Sequence, residues 1–256
     1  MSPGQSTEEP RLLQWIQHQA GLSRRKAQEL IAAGEVALDG RVVSDPFLRI
    51  RPESLRTVAL RGHPLATVPP EPRIYRYHKP AGVLCSHDDP HAGNTVGRAL
   101  RAEGFIGYTW AGRLDRDAEG LLLVTNDGDL VQAFSHPRYR IEKTYHVWIR
   151  KAPIRKVLER HLEQMQRGIE DAGETLRIVG GQVREGRPYV ELRLAEGRKH
   201  EIKRLFGHFR LELVRLQRVS MGPIDLADLP AGAFRRLRPD EEERAFTAAR
   251  SALEGI

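Results

Sequence analysis

Three acidic residues at alternate positions open a segment that could do chemistry. In the stretch GRLDRDAEGLLLVTNDGD, residues 112–129, Asp115, Asp117 and Glu119 precede a glycine and an apolar run. Acids in such a pattern can bind calcium, act as a pair of carboxylates on a glycosidic bond, or serve singly as a nucleophile. The residues around them distinguish these three kinds of site.

The calcium interpretation fails in the second half of the loop. An EF-hand loop has acids at positions one and three and a glycine at six, as Asp115, Asp117 and Gly120 do here. Position five is then Glu119, and position twelve, which needs a bidentate glutamate, is Asn126. The apolar run LLLV supplies no side-chain oxygen ligands. The pattern therefore does not predict a calcium site.

A pair of catalytic carboxylates is disfavoured by the neighbouring cations. If residues 113–117 are extended, Asp115 and Asp117 point to the same face about 7 Å apart, which a glycosidase could use. Arg113 and Arg116 flank Asp115, however, and nearby cations keep a carboxylate ionised instead of raising its pKa for proton donation. The arrangement favours a nucleophile. From spacing alone, a salt-bridged surface loop before a buried strand is the alternative.

The acidic segment belongs to a longer run of alternating strand and helix patterns that begins at Arg73. Strand-like runs include LLLVT and YHVWI. The helical patterns cover about 95–103, 128–135, 153–167, 199–209 and 240–254. Strands mixed with helices but without strict β-α-β order predict an α+β fold, with a mixed, mainly antiparallel sheet flanked by helices.

A smaller α+β unit precedes this domain. RLLQWIQHQA predicts one helix, and SRRKAQELIAAG predicts a second that is N-capped by Ser23 and ends before Gly34. The stretch EVALDGRVV predicts a β-hairpin that turns at Asp39 and Gly40.

The domain boundaries follow from a run of prolines. Four prolines within 64–72 predict a stiff spacer without regular structure. We therefore expect these four segments: an N-terminal domain at 11–62, a Pro-rich linker at 63–72, a second domain at 73–240, and a C-terminal helix or tail at 241–256.

Basic residues cluster at two places. Arg24, Arg25 and Lys26 stand at the start of the second predicted helix, where three cations oppose the helix macrodipole. Helix stability alone does not favour this placement, so phosphate contact is favoured over a solvated surface. Residues 198–218 hold seven Lys and Arg against two acids, interleaved with an apolar helical stripe. This second cluster predicts a structured basic wall that faces a polyanionic partner.

Composition sets the remaining bounds. The 256 residues carry a net charge of +7, which favours a polyanionic partner. Cys85 is the single cysteine, so no internal disulfide can form, and we expect it to be a small core residue on a strand. The first ten residues are polar, and no window approaches 18 apolar residues. We expect a soluble cytoplasmic protein.

The helix–helix–hairpin pattern of residues 11–62 resembles the S4 (S-four) RNA-binding domain. The segment GRLDRDAEGLLLVTNDG resembles the signature of bacterial ribosomal-RNA pseudouridine synthases of the RsuA/RluB type. Three further motifs match that family in order: HKPAGVLCS at 78–86, KTYHV at 143–147 and EGRKHEIKRLF at 196–206. Together the two resemblances cover nearly the whole chain.

The second resemblance implies an enzyme that isomerises a uridine in ribosomal RNA to pseudouridine, without cofactor or metal. It implies Asp115 as the catalytic residue and Tyr145 as a ring on which the flipped uracil stacks. It makes Lys203 the cation that pairs with Asp115, and Arg113 a cleft residue that fills the gap left by the uridine. The resemblances imply RNA contacts by further basic residues: Arg24, Arg25, Lys26, Arg41, Arg198 and Lys199. His200 would join the phosphate contacts.

The implied partner is ribosomal RNA or a pre-ribosomal particle. We expect a monomer that binds no membrane, and no protein partner is evident. The large-subunit RNA is slightly favoured over the small-subunit RNA. A non-catalytic RNA-binding or ribosome-assembly factor on the same scaffold is the rival interpretation. Asp115 argues against it, because an acid in a phosphate-lined cleft repels RNA.

Overall fold

The computed structural model describes residues 9–20, 22, 24–65 and 71–255, except the side chain of His18. Ser23, expected as a helix N-cap, and residues 66–70 of the expected linker therefore lie outside the described residues. The chain divides into two compact units. The first unit comprises Met1–Pro72 with Ala99–Tyr108, and the second comprises Arg73–Arg98 with Thr109–Ile256.

The first unit has two helices and a four-stranded antiparallel sheet of order β2-β1-β3-β4. The elements are α1 (Leu12–Ala20), α2 (Arg24–Ala32), β1 (Val36–Leu38), β2 (Arg41–Val43), β3 (Val58–Leu60) and β4 (His63–Leu65). Apolar side chains of both helices, including Leu12, Ile16 and Ile31, are fully buried against the sheet residues Val36 and Val58. Both predicted helices and the predicted hairpin are confirmed.

Glycines at positive φ terminate these elements where the sequence predicts. Gly34, at φ +73°, follows α2, and Gly40, at φ +78°, lies in the β1–β2 turn beside Asp39 at φ +46°. The expected linker differs at its start, because Pro64 lies within β4. Strand β4 is at the edge of the sheet, where a proline without an N–H is tolerated.

The second unit is built on a nine-stranded sheet. Its strands are β5 (Ile74–Lys79), β6 (Thr109–Ala111), β7 (Glu119–Thr125), β8 (Lys143–Ile149), β11 (Gly180–Val183), β12 (Val190–Leu194), β13 (Leu213–Met221), β14 (Ile224–Asp225) and β15 (Phe234–Arg236). A separate hairpin has the strands β9 (Ile169–Asp171) and β10 (Glu174–Leu176). The helices are α3 (Val96–Ala102), which crosses the boundary between the units, α4 (Gly128–Ser135), α5 (Arg155–Arg167), α6 (Glu201–His208) and α7 (Pro239–Glu254).

The main path of this sheet is β11-β12-β8-β13-β7-β5-β15, with β6 on β7 and β14 on β13. Strands β13 and β7 pair in parallel, and the other described strand pairs are antiparallel. The predicted α+β fold with a mixed, mainly antiparallel sheet is confirmed. None of the described helices has the length and apolar character needed to cross a membrane.

Strand β7, which follows the acidic segment, lies in the core. Its residues from Gly120 to Thr125 are buried, and Leu121 and Leu123 pack in one cluster with Ala245 and Ala249 of α7. The C-terminal segment is therefore a packed helix and not a tail. Arg76 of β5 and Glu241 of α7 form a buried ion pair that also joins the helix to the sheet.

A close backbone contact fixes the start of β7. Gly120 has φ +112° and pairs with Arg218 of β13 at the parallel contact. A Cβ atom at Gly120 would lie 2.2 Å from the carbonyl oxygen of Arg218. Only glycine allows both the positive φ and this approach of the two strands.

We expect Gly120→Ala to lower the free energy of unfolding by about 3 kcal/mol or more, because the new methyl group meets backbone that cannot rotate away. Gly128→Ala is the matched control, since no atom lies within 4 Å of a Cβ there. It should change stability by less than about 0.5 kcal/mol. Urea denaturation of both variants checks this, and equal stability of the two would contradict it.

Candidate active site

Asp115 lies in the connection between β6 and β7. Gly112 starts this connection at φ +70°, and the N–H of Ala118 donates to the carbonyl of Asp115 at 3.2 Å. Leu114 is buried and anchors the connection. Residues 113–117 do not form one extended segment, because Asp115 to Ala118 form a turn and the strand begins at Glu119.

Two buried cations bind the backbone of this turn on either side of Asp115. Arg218 of β13, only 1% exposed, donates from Nη1 to the carbonyl of Arg113 at 3.3 Å. Lys79, fully buried at the end of β5, donates from Nζ to the carbonyl of Arg116 at 3.4 Å. A shift of the turn would break the hydrogen bond from Arg218 Nη1 and weaken the binding of Lys79 Nζ, which also donates to the carbonyls of Pro80 and Val83. Loss of a buried hydrogen bond is unfavourable. The two cations therefore fix the position of the Asp115 backbone.

Two further contacts hold the N-terminal half of the turn. The N–H of Gly112 donates to Oγ of Ser135 at 2.6 Å. The N–H of Leu114 donates to Sγ of Cys85 at 3.4 Å. The expectation that Cys85 lies on a strand is wrong, because β5 already ends at Lys79 and Cys85 is half-buried in a bend.

Two side-chain nitrogens contact one oxygen of the Asp115 carboxylate. His200 Nδ1 lies 2.9 Å from Oδ2, and Lys203 Nζ lies 3.2 Å from the same atom. Lys203 also contacts Asp117 Oδ1 at 2.6 Å. Among the described residues, Oδ1 of Asp115 makes no hydrogen bond. The carboxylate is thus held through one oxygen while the other is available.

These contacts set the charge of Asp115. Burial, the largest single influence, raises the pKa of this carboxyl, but the hydrogen bonds from His200 and Lys203 and their charges lower it further. The net result is a pKa below the ordinary aspartate value. The sequence predicts a share of this effect for Arg113 and Arg116, but neither is among the main groups that lower this pKa. Arg116 donates from Nε to the carbonyl of Gly82 at 3.2 Å instead.

Helix α6 and its N-cap position present Lys203 and His200 to Asp115. Ile202, Leu205 and Phe206 are buried and pack the helix against the core, which leaves Lys203 beside this apolar stripe. His200 is the N-cap residue, at φ +53° in the left-handed region. This backbone places the imidazole against Asp115, whereas the sequence predicted a phosphate contact for it.

Tyr145 lies on the same sheet face as the buried Arg218. The register of β8 and β13 places the two residues directly opposite each other, and Tyr145 is 8% exposed. Because side chains alternate along a strand, Thr144 and His146 point to the other face. That face carries a cavity of about 700 Å³, lined by Thr144, His146, Glu191 and others, which does not include Asp115.

The basic segment 198–218 differs from the expected wall. Its cations are mostly paired within the protein. These pairs are Arg198 with Glu196, Lys203 with Asp115 and Asp117, Arg204 with Asp171 and Glu174, and Arg215 with Glu119. Arg218 is buried. Lys199 and Arg210 are exposed and make no ion pair with the described residues.

The predicted RNA contacts of the first unit lie on its surface. Arg24, Arg25 and Lys26 form the first turn of α2, and Arg41 starts β2, all with exposed side chains. Arg25 Nε lies 3.1 Å from Glu29. In the second unit, Arg113 is also exposed. Among the described residues, no cluster of three His, Cys, Asp or Glu is arranged to hold a metal ion.

Lys143, two residues before Tyr145, is a third buried cation on this face. It is 6% exposed, and its Nζ donates to the carbonyl of Ile141 at 3.0 Å. Burial and then the charge of Arg218 lower its pKa to about 8, although Glu201 acts in the opposite direction. The folded state therefore loses this proton at a lower pH than the unfolded chain does.

Between pH 8 and 10.5 the unfolded chain holds the Lys143 proton and the folded chain does not, so raising the pH stabilises the folded state. We expect the stability of the wild type relative to Lys143→Met to rise by about 3 kcal/mol across this window. Urea denaturation at several pH values measures it. The same comparison with Lys156→Met, an exposed lysine, should show no such trend. If the stability difference between the wild type and Lys143→Met does not vary with pH, the pKa of Lys143 is not lowered in the folded state.

Comparisons with known proteins agree with this architecture. Residues 73–208 match the RNA pseudouridylate synthase family, and residues 11–54 match the S4 domain. The ribosomal small subunit pseudouridine synthase A of Pseudomonas aeruginosa is 36% identical over 90% of this chain and 98% of its own length. The ribosomal large subunit pseudouridine synthase B of Bacillus subtilis is 30% identical over 91% of this chain and 94% of its own length.

A solved structure described as a pseudouridylate synthase is also similar. It has a TM-score of 0.62 and 29% sequence identity, and the match covers 92% of this chain and 99% of the other. The family model spans more than half of the 256 residues and contains Asp115, Tyr145 and Lys203. With an S4 domain at its N-terminus, this chain belongs to the RNA pseudouridylate synthase family.

Proposed function

We propose that this protein isomerises a specific uridine in ribosomal RNA to pseudouridine, with Asp115 as the catalytic residue. The observation that carries the proposal is the state of the Asp115 carboxylate. It is half-buried, its pKa is lowered, and one of its oxygens is free of partners among the described residues. An ionised carboxylate with a free oxygen is prepared to attack or stabilise a sugar carbon.

The chemistry requires that one glycosidic bond break and another form at the same carbon. The bond from C1′ to N1 breaks, the uracil turns, and C5 bonds to C1′. An enclosed site keeps the detached base beside the sugar during this exchange. Tyr145, on the face that carries Arg218, supplies the ring for stacking, and Lys203 keeps Asp115 ionised. Arg113, exposed beside the turn, fills the space of the extruded nucleotide.

Ribosomal RNA is proposed as the substrate because the named relatives act on it. Synthases named for the small subunit and for the large subunit both match most of this chain. The large-subunit RNA, slightly favoured by the sequence analysis, is the first target to test. The partner is then ribosomal RNA or a pre-ribosomal particle, bound by a cytoplasmic monomer.

Each of the two proposed domains has its own role. The S4-like domain at 11–62 binds RNA through Arg24, Arg25, Lys26 and Arg41, and the domain at 73–240 carries out the reaction. Arg198 and Lys199, which precede α6, contact RNA phosphates near the reacting uridine. No metal or cofactor is required by this scheme, since an ionised carboxylate supplies the nucleophile.

Asp115→Asn tests the catalytic assignment. We expect release of tritium from C5-labelled uridine in large-subunit and small-subunit RNA transcripts to fall by more than about 10⁴-fold, because the amide is not a nucleophile. Asp117→Asn is the matched control. It removes the other acid that contacts Lys203 and should retain activity within about tenfold of the wild type.

A filter-binding measurement with the same transcripts shows whether Asp115→Asn still binds RNA, as expected. Full activity of Asp115→Asn would overturn the assignment. If the wild type releases no tritium from free transcripts or from assembly intermediates, the protein is a non-catalytic RNA-binding or ribosome-assembly factor.

Charge reversal of Arg24, Arg25 and Lys26 to glutamate tests the S4-like domain. Binding to ribosomal RNA should weaken and its dependence on salt should become shallower, because fewer phosphates are neutralised. The rate on a short saturating substrate should stay within about threefold of the wild type. Reversal of Lys156, Arg160 and Arg167, exposed on α5, makes the same change of charge elsewhere. Equal effects of the two triple variants would show that only net charge matters.

A further inference from the structure

His200 has an arrangement that the proposed function does not use. Its Nδ1 lies 2.9 Å from Oδ2 of Asp115, and its side chain is 47% exposed. The other ring nitrogen, Nε2, makes no hydrogen bond with the described part of the chain. The phosphate contact predicted for His200 does not account for its contact with Asp115. A backbone phosphate bound at His200 would lie close to the Asp115 carboxylate, and two anions repel each other.

The contact with Asp115 fixes the tautomer of the imidazole. Because Asp115 is ionised, it accepts a hydrogen bond, and Nδ1 must carry the proton. In the neutral ring, Nε2 then has the free lone pair. A carboxylate that holds Nδ1–H orients the ring and stabilises the imidazolium that forms when Nε2 takes a proton. The pair is thus built as an oriented base.

The reaction needs a base after the new bond has formed. When C5 bonds to C1′, it carries both the sugar and its original hydrogen. The C5–H bond must then break, and its electron pair forms C5=C6 while the C6=N1 pair moves onto N1, which takes a proton from water. The proton that leaves C5 needs an acceptor. In this step C5 is one bond from C1′, the atom on which Asp115 acts.

We propose that His200 is the base that accepts the C5 proton through Nε2, an inference that rests on the proposed function. Asp115 holds the ring and stabilises the imidazolium, and Lys203 keeps Asp115 ionised throughout. Because the imidazole is half exposed, the proton passes from Nε2 to bulk water and the base is regenerated.

The charged groups around the imidazole are consistent with this role. Asp115 faces Nδ1, while Lys203 and Asp117 form an ion pair beyond it. Glu201, the next residue, is buried and accepts the N–H of Arg198 at 3.0 Å. Lys199, the preceding residue, is exposed. Among the described residues, none of these groups contacts Nε2.

Two substitutions separate proton transfer from positioning. His200→Ala removes both the base and the Asp115 contact. His200→Asn retains an N–H donor in place of Nδ1, and asparagine tolerates the left-handed backbone at this position, but it supplies no base. His208→Ala is the matched control, because this histidine of α6 is exposed and makes no contact with Asp115.

The test is single-turnover conversion of transcripts that contain uridine or uridine deuterated at C5. We expect both His200 variants to react about 10²- to 10⁴-fold more slowly than the wild type. Both should show a larger C5 deuterium isotope effect, because proton removal becomes rate-limiting. Imidazole in the buffer should restore part of the rate of His200→Ala, whereas His208→Ala should match the wild type in rate and isotope effect.

Wild-type rates in His200→Asn would show that His200 only positions Asp115, and would overturn the proposal. Slow variants with an unchanged isotope effect and no rescue by imidazole would also overturn it, since another group would then take the proton. Circular dichroism and RNA binding confirm that the variants are folded. These outcomes differ from failure of the proposed function, in which the wild type forms no pseudouridine or Asp115→Asn stays active.

Discussion

The geometry of the site depends on the contacts that the Asp115 carboxylate receives from His200 and from Lys203 of α6. His200 and Lys203 approach the same carboxylate oxygen, so they hold the side chain without occupying its second oxygen. Burial alone would favour the neutral acid, and the hydrogen bonds from His200 and Lys203 reverse that preference. A charge that is partly removed from water and paired in this way is both ionised and oriented. That combination is what a nucleophile or an electrostatic catalyst requires.

Other residues of the second unit hold the turn that carries Asp115 in a fixed position. Arg218 and Lys79, which lie on strands of the sheet, donate hydrogen bonds to the carbonyls of Arg113 and Arg116. These bonds attach the turn that carries Asp115 to the sheet. Removing these cations from water is unfavourable, and hydrogen bonds to carbonyls offset part of that penalty. Gly120 lets β7 approach β13, the strand that supplies Arg218. Buried cations and a close strand contact, both unfavourable by themselves, therefore fix the position of Asp115.

The elements that sequence predicts well are those with local physical signals. Helix bounds lie within two residues of prediction because the apolar stripes and terminal residues mark them, as Gly34 does for α2. The hairpin is fixed by the Asp39–Gly40 turn. Pro64 within β4 was not predicted, since its strand exists only through pairing with β3. Asp115 was singled out through its flanking motif, and its role stays a prediction until activity is measured.

The partners of Asp115 were harder to predict because they are distant in sequence. His200 is 85 residues away from Asp115, and nothing in its local pattern distinguishes a carboxylate partner from a phosphate contact. Lys79 and Arg218 were missed for the same reason, because their partners Arg116 and Arg113 are 37 and 105 residues away in sequence. Arg113 and Arg116, close in sequence, were given an electrostatic role that the fold assigns to α6.

The central claim, that His200 and Lys203 keep Asp115 ionised, can be measured by ¹³C NMR titration of the Asp115 carboxyl group. We predict a titration midpoint below the ordinary aspartate value of 3.8 in the wild type. The midpoint should rise in Lys203→Met and in His200→Ala, because burial then acts with less opposition. A wild-type midpoint at or above 3.8, or one that neither substitution raises, would contradict the account.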